Sequence, residues 1–181
     1  MKLHIGPDTQ QLDGWHTLDV EGKNCDSCAT WGSDALPFDD NSVDIIYASH
    51  VFEHIPWYCA AAALGEALRV LRSGGRLELW LPDLDVVLTA LRTGVIPDNW
   101  RRYNEEGDVM KWVNGRLFAY DSGDGPNWHR AAYTFNAVKQ CLAAAGFIDI
   151  KRLDSPRTRS HGAINMGIAG TKAGGSNGVS K

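Results

Sequence analysis

Apolar residues along the chain fall into short runs that polar, glycine-rich stretches separate. Residues 2–6 alternate apolar and polar side chains before a Gly-Pro-Asp turn, and residues 15–20 form a second run of this kind. Residues 44–48 are almost continuously apolar, which is typical of a strand covered on both faces. We predict three strands here, with a long loop over 21–42. The segment between the first two strands is too short for a usual crossover helix.

After Pro56 the apolar residues take a helical spacing, which predicts a helix that ends at Arg72. Residues 76–81 then predict a strand, and residues 83–93 predict a second helix that begins with carboxylates. Strands and helices in alternation predict an α/β fold with a doubly wound, mostly parallel sheet.

The last third of the chain predicts one helix and two closing strands. Thr134 can cap a helix over 135–145, and residues 147–153 and 164–171 have strand patterns. Residues 94–132 have weak periodicity and many Gly, Asp, Asn and Trp. Long loops inside compact domains are usually functional, so we predict an excursion that acts as a lid or substrate-binding segment.

The length and charge of the chain limit its possible functions. With 181 residues, it has room for one domain, which we place at 1–172, followed by a disordered tail at 173–181. A net charge of −4 argues against general nucleic-acid binding, which requires clustered Lys and Arg. The N-terminus resembles neither a signal peptide nor a membrane span, so we expect a cytoplasmic protein without membrane contact.

Four cysteines do not form a disulfide framework in a chain of this size. Cys25 and Cys28 have the spacing of a zinc knuckle, but a structural zinc ion needs four ligands and no second pair follows. We therefore predict no metal site and interpret this segment as a polar loop with two thiols.

Four sequence blocks, in this order, resemble class I S-adenosylmethionine (SAM) dependent methyltransferases, and most closely the methyltransferase type 11 family. They are DALPFDDNSVDIIYASHVFEHIP at 34–56, RVLRSGGRL at 69–77, LPDL at 81–84 and AAAGFIDI at 143–150. The resemblance implies a Rossmann-like sheet with an antiparallel last strand, SAM as the cofactor and methyl transfer as the activity. His-Ile-Gly-Pro-Asp at 4–8 replaces the usual glycine-rich first motif. This start is similar to that of a subset in which the first helix is reduced.

The resemblance also implies a set of cofactor-binding residues at the carboxyl ends of the strands. They are Gly6, Asp19, Asp34, Leu36, Ser49 and His50. Gly6 would allow close approach to the backbone and Asp19 would accept hydrogen bonds from the ribose hydroxyls, but a turn glycine and a solvated Asp are the simpler alternatives. Asp34 and Leu36 would hold the adenine, although Asp is also a common turn cap.

The loop after the central strand adds further candidates. Ser49 and His50 would lie beneath the methionine part of SAM, and Glu53 and His54 would support that loop. For His54, a structural, hydrogen-bonded role is the commoner alternative.

Two residues are candidates for the catalytic base or acceptor anchor. His129 has the pKa range suited to deprotonating a hydroxyl or amine, and Asp83 follows the predicted strand at 76–81. The alternative is that His129 stabilises the fold of the excursion. Trp100, Trp112 and Trp128 could line a substrate pocket or hold the excursion in place by burial.

These observations lead to one hypothesis and one alternative. The hypothesis is a SAM-dependent methyltransferase that acts on a small-molecule or sugar-like acceptor. The alternative is a degenerate SAM-fold protein that binds the cofactor or a partner without catalysis. A nicotinamide-dependent oxidoreductase would need a pyrophosphate-binding glycine turn at a helix N-terminus, which the sequence lacks.

Overall fold

The strands of the protein belong to one sheet in the computed structural model, which describes residues 1–20, 23–98, 104–118 and 127–174. Within these residues the sheet has seven strands in the order β3-β2-β1-β4-β5-β7-β6. The strands are β1 (Lys2–Ile5), β2 (His16–Asp19), β3 (Ser27–Cys28), β4 (Val43–Ser49), β5 (Leu71–Pro82), β6 (Phe147–Leu153) and β7 (Asn165–Lys172).

Strand directions follow the predicted fold class. Strands β1 to β5 pair in parallel, whereas β7 is antiparallel to both of its neighbours, β5 and β6. The predicted α/β class and the mostly parallel sheet with an antiparallel last strand are confirmed. Residues 6–15, between β1 and β2, contain no helix.

The described helices are α1 (Ala60–Val70), α2 (Leu84–Thr93), α3 (Val109–Phe118) and α4 (Phe135–Ala145). Helices α1 and α4 pack on each other and on the apolar face of the sheet. The predicted start of α4 is correct, because the Thr134 hydroxyl accepts a hydrogen bond from the backbone N–H of Ala137 at 3.2 Å. Gly146 ends this helix in the left-handed conformation, with φ of 104°.

The opposite face of the central strands is polar, and the β6–β7 connection (residues 154–164) lies against it. His4, Tyr47 and Glu78 are buried there. Within the connection, Arg157 donates two hydrogen bonds to the Glu78 carboxylate, at 2.6 and 3.0 Å, and the Thr158 hydroxyl lies 2.8 Å from the Tyr47 hydroxyl. Since residues 6–15 between β1 and β2 form no helix that could cover the polar face, the β6–β7 connection covers it instead.

Two sequence-based predictions of local structure were wrong. The first helix ends at Val70 rather than Arg72, because Leu71 already pairs with Val43 as the first residue of β5. The weakly periodic excursion contains a helix, α3, which packs on α2 around Trp112. The side chain of Trp112 is fully buried. Of the two roles considered for this residue, it therefore holds the excursion in place by burial.

Some predictions concern residues outside the described part of the chain. These are Trp100, the remaining parts of the excursion at 99–103 and 119–126, and residues 175–181 of the predicted tail.

Candidate active site at the carboxyl edge of the sheet

A cleft of about 1420 Å³ opens at the carboxyl ends of β1, β2 and β4. Gly6 follows β1, Asp19 ends β2, and Ser49 and His50 end and follow β4; all four line this cleft. Parallel strands present their carboxyl ends at one edge of the sheet, which is where open α/β sheets bind ligands. The structure thus brings together four of the six residues that the resemblance selected.

Gly6 is required by both its conformation and its packing. Its φ is +63°, and a Cβ atom added there would lie 2.3 Å from Cγ2 of Val51. Its N–H donates to the carbonyl of Leu18 at 2.8 Å, which ties the turn after β1 to β2. A side chain at this position would both strain the backbone and displace Val51, so the shape of the cleft floor depends on glycine.

Asp19 and Ser49 present polar atoms to the cleft. One carboxylate oxygen of Asp19 accepts from the N–H of Val20 at 2.8 Å, which fixes the side chain at the cleft wall. The Ser49 hydroxyl oxygen is buried and has no hydrogen-bond partner among the described residues. Buried polar groups are normally satisfied, so this hydroxyl fits a ligand that would bond to it.

Asp34 and Leu36 do not line the cleft. The Asp34 carboxylate accepts from the Thr30 N–H at 2.7 Å and so closes a turn. Leu36 is only 2% exposed and packs in the main core, while its N–H donates to Glu66 at 2.8 Å. The same turn nevertheless reaches the cleft through residues 31–33.

His50 is held in a strained conformation between two polar partners. Its φ is +55°, which is rare outside glycine and occurs where surrounding contacts dictate it. Nδ1 lies 3.0 Å from a carboxylate oxygen of Glu53, and Nε2 lies 2.9 Å from the side-chain oxygen of Asn165. Burial alone would lower the pKa of His50, but the contacts with Glu53 and Asn165 outweigh burial and raise it.

Glu53 is a buried carboxylate surrounded by histidines. It is 2% exposed, and burial alone would raise its pKa. The close contact with His50, together with the positive charge that the neighbouring histidines carry when they are protonated, reverses this effect and lowers the pKa of Glu53 to about 2. The side chain is therefore an anion at neutral pH. The position of His50 satisfies the distance for an ion pair but not the geometry of a hydrogen bond to Glu53.

Backbone contacts bring His129 next to Glu53 and His54, across 75 residues of sequence. The Glu53 carbonyl accepts from the N–H groups of Arg130 at 2.8 Å and Ala131 at 3.0 Å. The His54 ring lies 4.9 Å from the His129 ring. Burial lowers the pKa of His129 more than the Glu53 charge raises it, so this imidazole is neutral at pH 7.

Asp83 lies outside the cleft lining. One of its oxygens accepts from the Asp85 N–H at 3.0 Å and caps α2, and the other lies 3.9 Å from Arg152. Burial is the main cause of its raised pKa.

The β6–β7 connection contributes residues that the sequence did not indicate. Residues 158–162 line the cleft, and the His161 ring lies 3.7 Å from the His50 ring. Burial, with a smaller effect from the His50 charge, lowers the pKa of His161 to about 4. Because this segment reads as a polar loop, only its position across the sheet connects it with the site.

Comparisons with known proteins agree with this geometry. The model of the methyltransferase domain family matches residues 18–79. An uncharacterized 37.1 kDa protein of a Streptomyces fradiae transposon is 34% identical over 84 residues, which are 46% of this chain and 24% of that protein. The chain thus spans about a quarter of this curated relative.

Solved structures extend the comparison to nearly the whole chain. A SAM-dependent methyltransferase from Thermotoga maritima, described as a possible histamine N-methyltransferase, has a TM-score of 0.55 at 16% identity, covering 94% of this chain and 81% of that one. A SAM-dependent methyltransferase from Methanosarcina mazei has a TM-score of 0.56 at 15% identity, covering 95% and 92%.

The fold is therefore that of the class I SAM-dependent methyltransferases, which confirms the resemblance drawn from the sequence blocks. Within it, residues 18–79 match the methyltransferase domain family. Both structural neighbours are described as SAM-dependent, in agreement with the cofactor that the sequence blocks imply. None of the described helices has the length and apolar character needed to cross a membrane.

Proposed function

We propose that this protein transfers the methyl group of SAM to a small-molecule or sugar-like acceptor bound in the same cleft. The observation that carries the proposal is the cleft itself, whose volume of about 1420 Å³ is lined by Gly6, Asp19, Ser49 and His50. Sites for one small ligand usually measure about 300–1,000 Å³, so this one has room for the cofactor and a second small molecule.

Asp19 and the turn at 31–33 are the proposed nucleoside contacts. A carboxylate at the end of the second strand accepts hydrogen bonds from both ribose hydroxyls. Since residues 31–33 line the cleft, whereas Asp34 closes their turn, we assign Asp34 and Leu36 to shaping the adenine site rather than to direct contact. Ser49 and His50 are assigned to the methionine part.

Bound SAM supplies an activated methyl group, so the protein needs mainly to align the acceptor and remove its proton. His129 is the proposed proton acceptor. It lines the cleft, its imidazole is neutral at pH 7, and its Nδ1 lies 3.1 Å from the carbonyl of Arg116. A carbonyl only accepts hydrogen bonds, so Nδ1 carries the hydrogen and Nε2 keeps a lone pair. Asp83, outside the cleft lining, receives no catalytic role in this proposal.

Calorimetric titration with SAM and with S-adenosylhomocysteine tests the cofactor site. Asp19→Ala removes two hydrogen bonds to a charged group, each worth about 1.5–3 kcal/mol, so SAM binding should weaken by at least about 100-fold. Asp13→Ala, an exposed aspartate outside the cleft lining, is the matched control and should bind normally. Equal affinity in both variants would refute the assignment of Asp19.

The alternative of a non-catalytic SAM-fold protein is supported by the single glycine after β1 and the missing helix between β1 and β2. It predicts no release of S-adenosylhomocysteine with any hydroxyl- or amine-bearing small molecule. The methyltransferase proposal predicts such release, and it predicts that His129→Gln lowers kcat by about 10²–10⁴ while SAM affinity stays unchanged.

A further inference from the structure

The side chains of Glu53, His54 and His129 converge at the cleft wall in a way that the cofactor does not explain. A carboxylate oxygen and one ring nitrogen of each histidine all lie within 4.8 Å of one another, and all three residues line the cleft. From this arrangement we propose that the three residues bind one divalent transition-metal ion of the zinc class.

The tautomers of both histidines are set for metal binding. Nδ1 of His54 lies 3.2 Å from the carbonyl of Trp128, and Nδ1 of His129 lies 3.1 Å from the carbonyl of Arg116. Since each carbonyl can only accept, each Nδ1 carries the hydrogen and each Nε2 presents its lone pair. A histidine ligand almost always donates its other N–H to a carbonyl or carboxylate in this way.

Glu53 provides the independent observation that a ligand is missing. Its side chain is 2% exposed, and neither oxygen has a hydrogen-bond partner among the described residues. One oxygen has His50 within ion-pair distance, which leaves the other for the ion. A buried carboxylate oxygen without a hydrogen bond is costly, and a divalent cation beside it would remove that cost. Arg116, which also lines the cleft, is paired with Asp98 at 2.7 Å.

The spacing is close to that of a bound site. Ligand atoms about 2.1 Å from a tetrahedral ion lie about 3.4 Å apart, so the three side chains would have to close by about 1.4 Å at most. Rotations about their side-chain bonds supply this, because backbone hydrogen bonds from residues 130 and 131 to the Glu53 carbonyl already hold the two segments together.

The ligand set selects the ion. Two imidazoles and one carboxylate suit Zn²⁺, Co²⁺ or Fe²⁺ and do not suit Mg²⁺ or Ca²⁺, which prefer oxygen ligands. Three protein ligands leave a position open toward the cleft for water or for an oxygen atom of the acceptor. That use of the open position rests on the proposed function; binding of the ion does not. With the ion bound, the lone pair of His129 Nε2 is occupied, so the proton-acceptor role proposed for His129 belongs to the metal-free protein.

Zinc titration of the full chain, without SAM or acceptor, tests the site independently of methyl transfer. Cys25 and Cys28 have sulfur atoms 3.3 Å apart, and thiolates are zinc ligands, so the titration uses the Cys25→Ser/Cys28→Ser variant as its background. In this background we expect one Zn²⁺ per chain. His54→Gln and His129→Gln should each weaken binding by about 100-fold or more. His16→Gln, on a histidine outside the cleft lining, is the matched control and should leave it unchanged.

A second measurement needs no histidine variant. When Zn²⁺ is added to the same background protein, the side-chain nitrogen resonances of His54 and His129 should shift while those of His4 and His16 stay in place. The proposal is overturned if zinc binds only when both cysteines are present, if neither resonance shifts, or if a folded His129→Gln variant binds zinc as tightly as its parent.

Discussion

Gly6 allows the strain and the steric clash of a substitution to be measured separately. Gly6→Ala introduces a residue with a side chain at φ of +63°, which costs about 1–2 kcal/mol. Its Cβ would also lie 2.3 Å from Cγ2 of Val51. Overpacking of this kind costs about 1–3 kcal/mol more. We therefore expect the free energy of unfolding to fall by about 2–5 kcal/mol.

Gly14 provides the matched control for the backbone contribution. Its φ is +74°, and a Cβ atom there would meet nothing within 4 Å, so Gly14→Ala should cost only the backbone strain of about 1–2 kcal/mol. In a Val51→Ala background the clash is removed, and Gly6→Ala should then cost about as much as Gly14→Ala. Urea unfolding of the four variants, followed by tryptophan fluorescence, gives these differences. The reasoning is wrong if Gly6→Ala lowers the free energy of unfolding no more than Gly14→Ala does. It is also wrong if Gly6→Ala lowers this free energy equally in the Val51→Ala background and in the parent protein.

Three further predictions concern the polar face of the sheet and the thiol pair. Burial lowers the pKa of His4 to about 4, so on acidification the unfolded chain binds a proton at His4 before the folded chain does. The contribution of His4 to stability should therefore fall by about 3 kcal/mol as the pH drops from 6.5 to about 4, and acid unfolding curves of His4→Gln should lack this part of the loss. Arg157→Met leaves buried Glu78 with fewer hydrogen bonds, so the unfolding midpoint in urea should drop by the equivalent of about 1–3 kcal/mol, a result that an unchanged midpoint would contradict. A mild oxidant should link Cys25 to Cys28, so that a thiol titration counts two fewer groups per chain; no loss of thiols would show that their separation in solution is larger.

Local periodicity predicted the elements whose burial pattern repeats along the chain. The strand at 44–48, the helix at 135–145 and the closing strands all appear, and all of them except the mostly exposed strand at 147–153 bury several side chains in the core. Helix α3 was missed because its buried residues include both the apolar ring of Trp112 and the charged side chain of Arg116, which is paired with Asp98. The pattern of apolar positions along the sequence does not reveal the ion pair between Arg116 and Asp98.

The candidate site divides in a similar way. Gly6, Asp19, Ser49 and His50 each end or follow a strand, so their common edge follows from the order of the strands. The approach of His129 to Glu53 does not follow from it. That approach depends on hydrogen bonds from the N–H groups of Arg130 and Ala131 to the Glu53 carbonyl, which is far away in sequence. Main-chain groups are the same at nearly every residue, so the sequence does not indicate which of them will pair.

The β6–β7 connection should be less stable locally than the central strands of the sheet. It covers the polar face through side-chain hydrogen bonds, and its residues 158–162 also form part of the cleft wall. A segment held by few apolar contacts belongs to the low end of local stability, so its amide hydrogens should exchange sooner than those of the central strands. Since a ligand in the cleft would contact residues 158–162, exchange there should slow as the ligand concentration rises above its Kd. The exchange rates of amides in the β6–β7 connection would thus show whether a ligand is bound in the cleft.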